Sequence, residues 1–425
     1  MNSFEQANPH CLNHIFDASS SREVFASEDI VDANGVMLLA QGKPISADLK
    51  AKLDQRRLRA PLETTLSIAD SLTTSMVFDQ AQILMAGNPA LTHFAGSRLA
   101  LASLSRLRLV RLPGPIRLLL TLAHDRLPRS YQHALATTLI CAGFAASARL
   151  SDTDTEILLV CGLLHDLGEM YLSPDYMTKS GGLNMSEWAS VASHPLTGRA
   201  IAQEIGHLPE AVAKGIVEHH ERMDGSGYPR MIDRTQIGFA GAIVGSADAT
   251  AAMILRGEPG DAYQAALALR IIPEEFEYRS SSWIISTMRD LTGEAPRQTA
   301  DPKIIQEALT RSSAAESAAA RIAAGPLGSS VESRLTLHLL GNISKAGRST
   351  GLSLLDSMGC SYEDAGGEAF CVARELIWRM RNLGRNLGIR LGSHEGRIME
   401  AWAPLLEALS GGEAVQGATE PMAVT

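Results

Sequence analysis

The chain has 425 residues, is 45% hydrophobic and 20% charged, and sets 38 Lys plus Arg against 47 Asp plus Glu, a formal net charge of −9. These proportions exclude a largely disordered chain, and the acidic balance argues against nonspecific binding to a nucleic-acid polymer. No apolar run approaches the roughly 18 residues that span a bilayer, no secretory pattern opens the chain, and the five scattered cysteines (Cys11, Cys141, Cys161, Cys360, Cys371) lack CxxC spacing. A cytoplasmic protein without a disulfide framework, a Cys-type zinc site or a membrane partner is expected.

In chain order, Asp29 to Ser46 alternates apolar and polar residues about Asn34-Gly35. That pair favours a type I′ hairpin, in which both central residues take positive φ. A short helix is expected at about 47–57. Residues 1–75 therefore read as a small α+β module, with only His10 and His14 as potential ligands. From about Leu72 the apolar spacing becomes helical, and helices are predicted at 131–150, 154–167, 186–205, 209–221, 237–255 and 259–270. Ser151 and Ser186 stand at N-cap positions, and Glu187 and Glu210 bring negative charge into first turns. An Ala-rich helix at 304–324 leads to Gly325-Pro326-Leu327-Gly328-Ser329-Ser330, which reads as a linker. Helices at 331–346, 368–387 and 395–409 follow, and the last fifteen residues lack periodicity. No internal repeat is found. The fold class expected is mainly α, with a module at 1–75, a helical domain at 76–325, a helical extension at 326–410 and a disordered tail at 411–425.

The middle third concentrates side chains able to bind metal: His133, His165-Asp166, His194, His219-His220 and Asp248. Neutral imidazole and carboxylate suit Fe, Mn, Zn or Co rather than Ca or Cu(I). Successive residues on a helix point about 100° apart, so His219 and His220 are suited to different ions, and Asp166 has two oxygens with which to bridge them. A single buried histidine is more often a hydrogen-bonded core residue than a ligand. Together they would suit a two-metal site for phosphate-ester hydrolysis, and the collection carries weight because its spacings match a known pattern.

The string His219-His220-Glu221-Arg222-Met223-Asp224-Gly225-Ser226-Gly227-Tyr228-Pro229 resembles the HHExxDGxGYP signature of the HD-GYP family, a branch of the HD metal-dependent phosphohydrolases. Leu163 to Gly168 is similar to the family's HD motif, 177–195 to the segment ending in His-Pro, and Asp248 and His133 fall where its last aspartate and first histidine belong. The resemblance covers about residues 115–275. It implies an all-helical hydrolase domain that opens cyclic di-GMP to pGpG, and sometimes on to GMP, through a metal-bridging hydroxide. The ligands it implies are His133, His165, Asp166, His194, His219, His220 and Asp248, with Asp166 as the bridging carboxylate.

Two departures stand out. Three-metal members carry a Glu one turn before the first histidine; here it is Arg129, which cannot ligate a cation. Two divalent ions, iron or manganese, are therefore expected. The family Lys after the HD motif is Glu169 here. An Arg129–Glu169 ion pair is one expectation, and exposure of both to solvent is the other. After Asp248 only Arg256 keeps a positive charge. Arg129, Lys179, Tyr228 and Arg256 are the expected substrate contacts. Gly225 and Gly227 are expected to use backbone conformations closed to other residues.

The remaining histidines (His10, His14, His93, His124, His207, His338, His394) read as surface or core residues. The run Arg374, Arg379, Arg381, Arg385, Arg390 reads as a solvated helical face paired with nearby Glu. The terminal parts are expected to serve regulation, protein partners or a homodimer. Alternatives to a cyclic di-GMP phosphodiesterase are a catalytically weak or inactive metal-containing cyclic-dinucleotide receptor or protein-interaction module, and a phosphohydrolase for another nucleotide.

Overall fold

The helical spacing read from the sequence is realised almost throughout the computed structural model, which describes residues 4, 6–53, 55–179, 183–258, 260–292, 301–357, 366–392 and 396–411. Cys360, His394 and residues 412–425 lie outside these. The four cysteines within them are free and buried. Among the described residues no helix is long and apolar enough to cross a membrane. The chain forms two compact units, one of residues 1–178, 193–220 and 238–255, the other of 179–192, 221–237 and 256–425.

The first unit begins with helix Pro9–Ala18, whose first amides donate to the Asn8 side chain at 2.9 and 3.1 Å, with proline where a missing N–H costs nothing. Two small antiparallel sheets follow, Val24–Ala26 with Leu66–Ile68 and Ile30–Val31 with Met37–Leu39. The Asn34-Gly35 hairpin forms with a different turn from the one expected. Only Gly35 takes positive φ, 86°. The Gly35 amide donates to Asp32 O at 2.9 Å, and the buried Asp32 carboxylate accepts from the Asn34 and Val36 amides at 3.0 and 2.8 Å. This is the three-residue loop ending in a left-handed glycine. Asp32, anchored by Arg56 at 2.6 Å, outweighs the two-residue preference of Asn-Gly.

Helix Pro128–Ala148 is the axis of this unit. Its residues 134–145 are all buried, so it is apolar on every side and packs against Arg98–Ser105, Asp152–Leu164 and Phe239–Ile254. Ser151 caps Asp152–Leu164 as expected, its Oγ accepting from the Asp154 amide at 3.1 Å. The single helix expected at 186–205 is broken at Ser193, giving Met185–Ala192 and His194–Ala200, followed by a wider turn at Ile201–Ile205. Pro195 removes the amide that would continue the ladder. The cap of Met185–Ala192 is Asn184 rather than Ser186. Asn184 and Glu187 exchange side-chain-to-amide bonds of 2.9 Å each, a reciprocal capping box.

The second unit is a bundle built mainly from Pro302–Ala324, Val331–Ser349, Gly366–Leu391 and Gly396–Ser410. Leu339, Ile343, Met380, Leu387 and Trp402 lie in its core. The arginine run divides. Arg381 and Arg390 pair with Glu307 and Glu332 at 3.6 and 3.3 Å. Arg379, by contrast, is buried between Glu275 and Glu375 at 2.6 Å each. It is an internal crosslink, not a solvated charge.

Candidate metal centre

Five elements of the first unit end or cross at one point. Pro128–Ala148 supplies His133, the C-terminus of Asp152–Leu164 leads into His165-Asp166, and His194 opens His194–Ala200. His219-His220 follow Glu210–Glu218, and Asp248 lies inside Phe239–Ile254. The seven side chains fall into two groups of converging ligand atoms: Asp166, His194, His219 and His220 in one, His133, His165 and Asp248 in the other.

Asp166 faces both. Its Oδ1 lies 3.3 Å from His194 Nε2 and 3.4 Å from His219 Nε2, while its Oδ2 lies 2.9 Å from His165 Nε2 and 3.7 Å from His133 Nε2. Asp248 Oδ1 meets His133 Nε2 at 2.8 Å, and its Oδ2 lies 3.5 Å from His220 Nδ1. Bonds from metal to imidazole nitrogen of 2.0–2.1 Å place neighbouring ligands of one ion roughly 3 Å apart. The observed separations have that scale.

The fit to a cation is chemical as well as geometric. His165 Nδ1 lies 2.9 Å from Gly162 O, and His219 Nδ1 lies 2.6 Å from Ile216 O. A carbonyl only accepts, so each Nδ1 carries the proton and each neutral ring turns an Nε2 lone pair toward the carboxylates. The buried His165 Nε2 consequently has no hydrogen-bond partner despite its closeness to Asp166. A buried acceptor such as His165 Nε2, turned toward carboxylate oxygens without a donor of its own, requires a cation or an extra proton between them. Without metal, protons take that place. Burial opposes charge on His165, but the Asp166 and Asp248 carboxylates outweigh it and push its pKa up to about 9. His133 is likewise raised, burial being outweighed by its bond to Asp248, while burial lowers His219. Burial resists ionisation of Asp166 and Asp248 too. The charge of His165 on the first and the bond from His133 on the second prevail, and both stay well below the ordinary carboxylate range.

Two positioning residues were not singled out from sequence. Glu218 is fully buried, and its Oε2 accepts from the Gly238 amide at 2.7 Å. It thereby fixes the start of the Asp248 helix against the end of the helix preceding His219. Gly168 permits the turn Leu167–Tyr171 to lie on His194–Ala200, since a Cβ there would stand 2.1 Å from His194 O. Gly168→Ala must push the Asp166 turn away from His194. The expected cost is about 2 kcal/mol of stability, read as a lower chemical-denaturation midpoint in the metal-free protein. An unchanged midpoint would contradict the close approach.

The proposed Arg129–Glu169 pair is not formed, and neither is its alternative. Arg129 is exposed, whereas Glu169 is largely buried, is hydrogen-bonded by Ser130, and has an Oε2 sealed from solvent without a hydrogen-bond partner. Burial and then the charge of Asp166 raise Glu169 to about 7. Lys179, Tyr228 and Arg256 belong to the other unit. There Lys179 pairs with Glu187 at 2.6 Å, Tyr228 sets its ring edge-to-face on Trp188 at 5.3 Å, and Arg256 is exposed. In the segment after His220, Gly225 takes φ 84° but Gly227 does not enter the left-handed region. The Glu221 carboxylate accepts from the Arg230 and Ile232 amides at 2.9 and 3.2 Å and closes the base of that loop.

Residues 117–278 match the family model described as the HD domain. A 3'3'-cGAMP-specific phosphodiesterase of Vibrio cholerae is 30% identical over 119 residues, 28% of this chain and 27% of that protein. A cyclic di-GMP phosphodiesterase of Pseudomonas aeruginosa is 31% identical over 108 residues, 25% of this chain and 26% of the other. The chain thus spans about a quarter of the length of these curated relatives. Among solved structures, an HDG"Y"P protein from Bdellovibrio bacteriovorus aligns with a TM-score of 0.36 at 16% identity, covering 63% of this chain and 94% of that one.

Proposed function

Since residues 117–278 match the HD domain family model, we propose that the chain is a cyclic-dinucleotide phosphodiesterase holding two divalent metal ions, iron or manganese. Its proposed reaction opens cyclic di-GMP to pGpG. The observation that carries the reading is Asp166, whose two oxygens turn to two separate sets of imidazoles.

The proposed ligands are Asp166, His194, His219 and His220 for one ion and His133, His165 and Asp248 for the other, with Asp166 shared. Two bound divalent cations supply a water acidified toward neutrality and positive charge for the phosphoryl oxygens. The protein's own part is to hold five neutral imidazoles and only two carboxylates around that pair. Such a set leaves the loaded centre with net positive charge, as an anionic diester requires. The carbonyls of Gly162 and Ile216 fix two of the rings, so little reorganisation accompanies binding. Arg129, exposed one turn before His133 on the same helix, is a proposed phosphate contact. Lys179, Tyr228 and Arg256 are proposed as further substrate contacts on the family resemblance.

Names of the relatives include both cyclic di-GMP and 3'3'-cGAMP phosphodiesterases, so the substrate test includes both nucleotides. Protein purified anaerobically is expected to carry two ions per chain and, with Fe(II) or Mn(II), to convert cyclic di-GMP to pGpG faster than 3'3'-cGAMP is opened. Preference for the latter would reassign the substrate. A second reading, a receptor without turnover, is favoured by the buried carboxylate of Glu169 where the family pattern has lysine. Nucleotide binding with two ions but no product would select it.

A further inference from the structure

We infer that helix Gly366–Leu391, which lies beyond the HD-matching span, positions the signature loop of residues 223–229, and that Asn386 is the positioning residue. This rests on the phosphodiesterase reading only for the catalytic consequence; the geometry stands by itself within the second unit.

Asn386 is 3% exposed and engaged on both sides of its amide. Its Nδ2 donates to Ser226 O at 3.1 Å and to Gly227 O at 3.4 Å, and its Oδ1 accepts from Trp188 Nε1 at 3.2 Å. An indole N–H only donates and a carbonyl only accepts, so the amide has one workable orientation. No other side chain of this size offers both a two-hydrogen donor and an acceptor here. Asp would set a carboxylate oxygen against two carbonyls, and Leu would strip partners from buried polar groups.

The contact extends through aromatic rings. Trp188, held by Asn386, packs T-shaped with the Tyr228 ring at 5.3 Å between centroids, and the guanidinium of Arg385 lies 5.2 Å from the Trp188 ring centre. Two turns earlier the same helix holds the residue that meets the start of the loop. Arg379 donates to Glu275 Oε2 at 2.8 and 2.6 Å and to Ala268 O at 2.7 Å, while the main-chain carbonyl of Glu275 receives the Met223 amide at 2.9 Å. One helix therefore holds the middle of the loop directly through Asn386 and its start indirectly, through Arg379 and Glu275. The loop itself is organised by Asp224 Oδ1, which accepts from the amide and hydroxyl of Ser226 at 3.0 and 2.7 Å, and Trp188, held by Asn386, packs on Tyr228 beyond that local turn.

The test is hydrogen exchange by mass spectrometry on the full-length, metal-loaded protein and on Asn386→Asp and Trp188→Phe, with metal content and steady-state kinetics measured on the same samples. Asn386→Asp is expected to speed exchange at residues 223–229 by roughly tenfold or more, with helix Pro128–Ala148 unchanged. Trp188→Phe, which keeps a ring but removes the N–H, is expected to give a smaller increase at the same amides. Two ions per chain are retained in both. With turnover in hand, Asn386→Asp raises KM for cyclic di-GMP by about tenfold while kcat stays within about twofold. Exchange at 223–229 within about twofold of wild type in both variants would overturn the inference. So would a uniform increase across the protein, or a fall in kcat at unchanged KM. Faster loop exchange in a protein that never hydrolyses cyclic di-GMP would uphold the positioning role and remove the phosphodiesterase reading instead.

Discussion

Asp166→Ala is expected to take the metal content from the proposed two ions per chain to fewer than one and to lower the proposed turnover of cyclic di-GMP by at least about a thousandfold. The size follows from the double duty proposed for its carboxylate. Each oxygen stands within 3.4 Å of imidazole nitrogens drawn from a different set, so one truncation removes a ligand from both proposed ions. It also takes away a negative charge that offsets two divalent cations held close together. Truncating an imidazole confined to one set, such as His133, is expected to cost mainly one ion. The comparison therefore separates a shared ligand from an ordinary one.

Protonation adds a second readout. Metal must displace the proton that Asp166 and Asp248 hold on His165, whose pKa lies at about 9 without metal. Affinity in wild type should therefore rise from pH 6 toward pH 9. Asp166→Ala should flatten that rise, because the carboxylate that raises His165 has gone. Two ions retained by the variant, with turnover intact, would reject the shared-ligand assignment.

Much of this centre was legible in the sequence because its ingredients are residue types with restricted chemistry. His-Asp and His-His pairs on apolar helices can be recognised locally, and helical spacing predicts which elements carry them. What escaped is what depends on distant backbone. Glu218 reads as an ordinary acidic residue at a helix end, and its value comes from a bond to Gly238 twenty positions later. Gly168 was visible in the motif, but not the main chain of His194 that it must admit. Asn386 meets Ser226 and Gly227 across about 160 positions, and no local pattern marks such a partner. Arg379 was misread for the same reason. Its spacing suits an exposed stripe, and only the fold brings Glu275 to it. The expected Asn34-Gly35 turn failed more locally, since two amide bonds to Asp32 favoured the longer loop.

Glu169→Gln is expected to stabilise the metal-free protein at pH 8 by up to about 3 kcal/mol, more than a hundredfold in the unfolding equilibrium, and to leave it little changed at pH 4.5. Burial, reinforced by the charge of Asp166, raises the Glu169 carboxyl from 4.5 to about 7. A folded-state value above the unfolded one means that folding favours the protonated form. That contribution is fully present below about pH 4.5 and disappears as pH rises through about 7, leaving an ionised carboxylate with one oxygen sealed from both solvent and donors. Glutamine keeps the shape and removes the charge, so the difference between the two proteins should open across that window. Denaturant titrations of chelator-treated protein at pH 4.5, 6 and 8 measure it directly. Equal stability at all three values would mean that Glu169 ionises freely. Metal should narrow the gap, because cations bound by Asp166 and its neighbours oppose the same-sign repulsion that raises Glu169. The position where the family pattern has lysine is thus expected to act here as a negative charge that bound metal makes tolerable, which couples metal occupancy to stability above neutral pH.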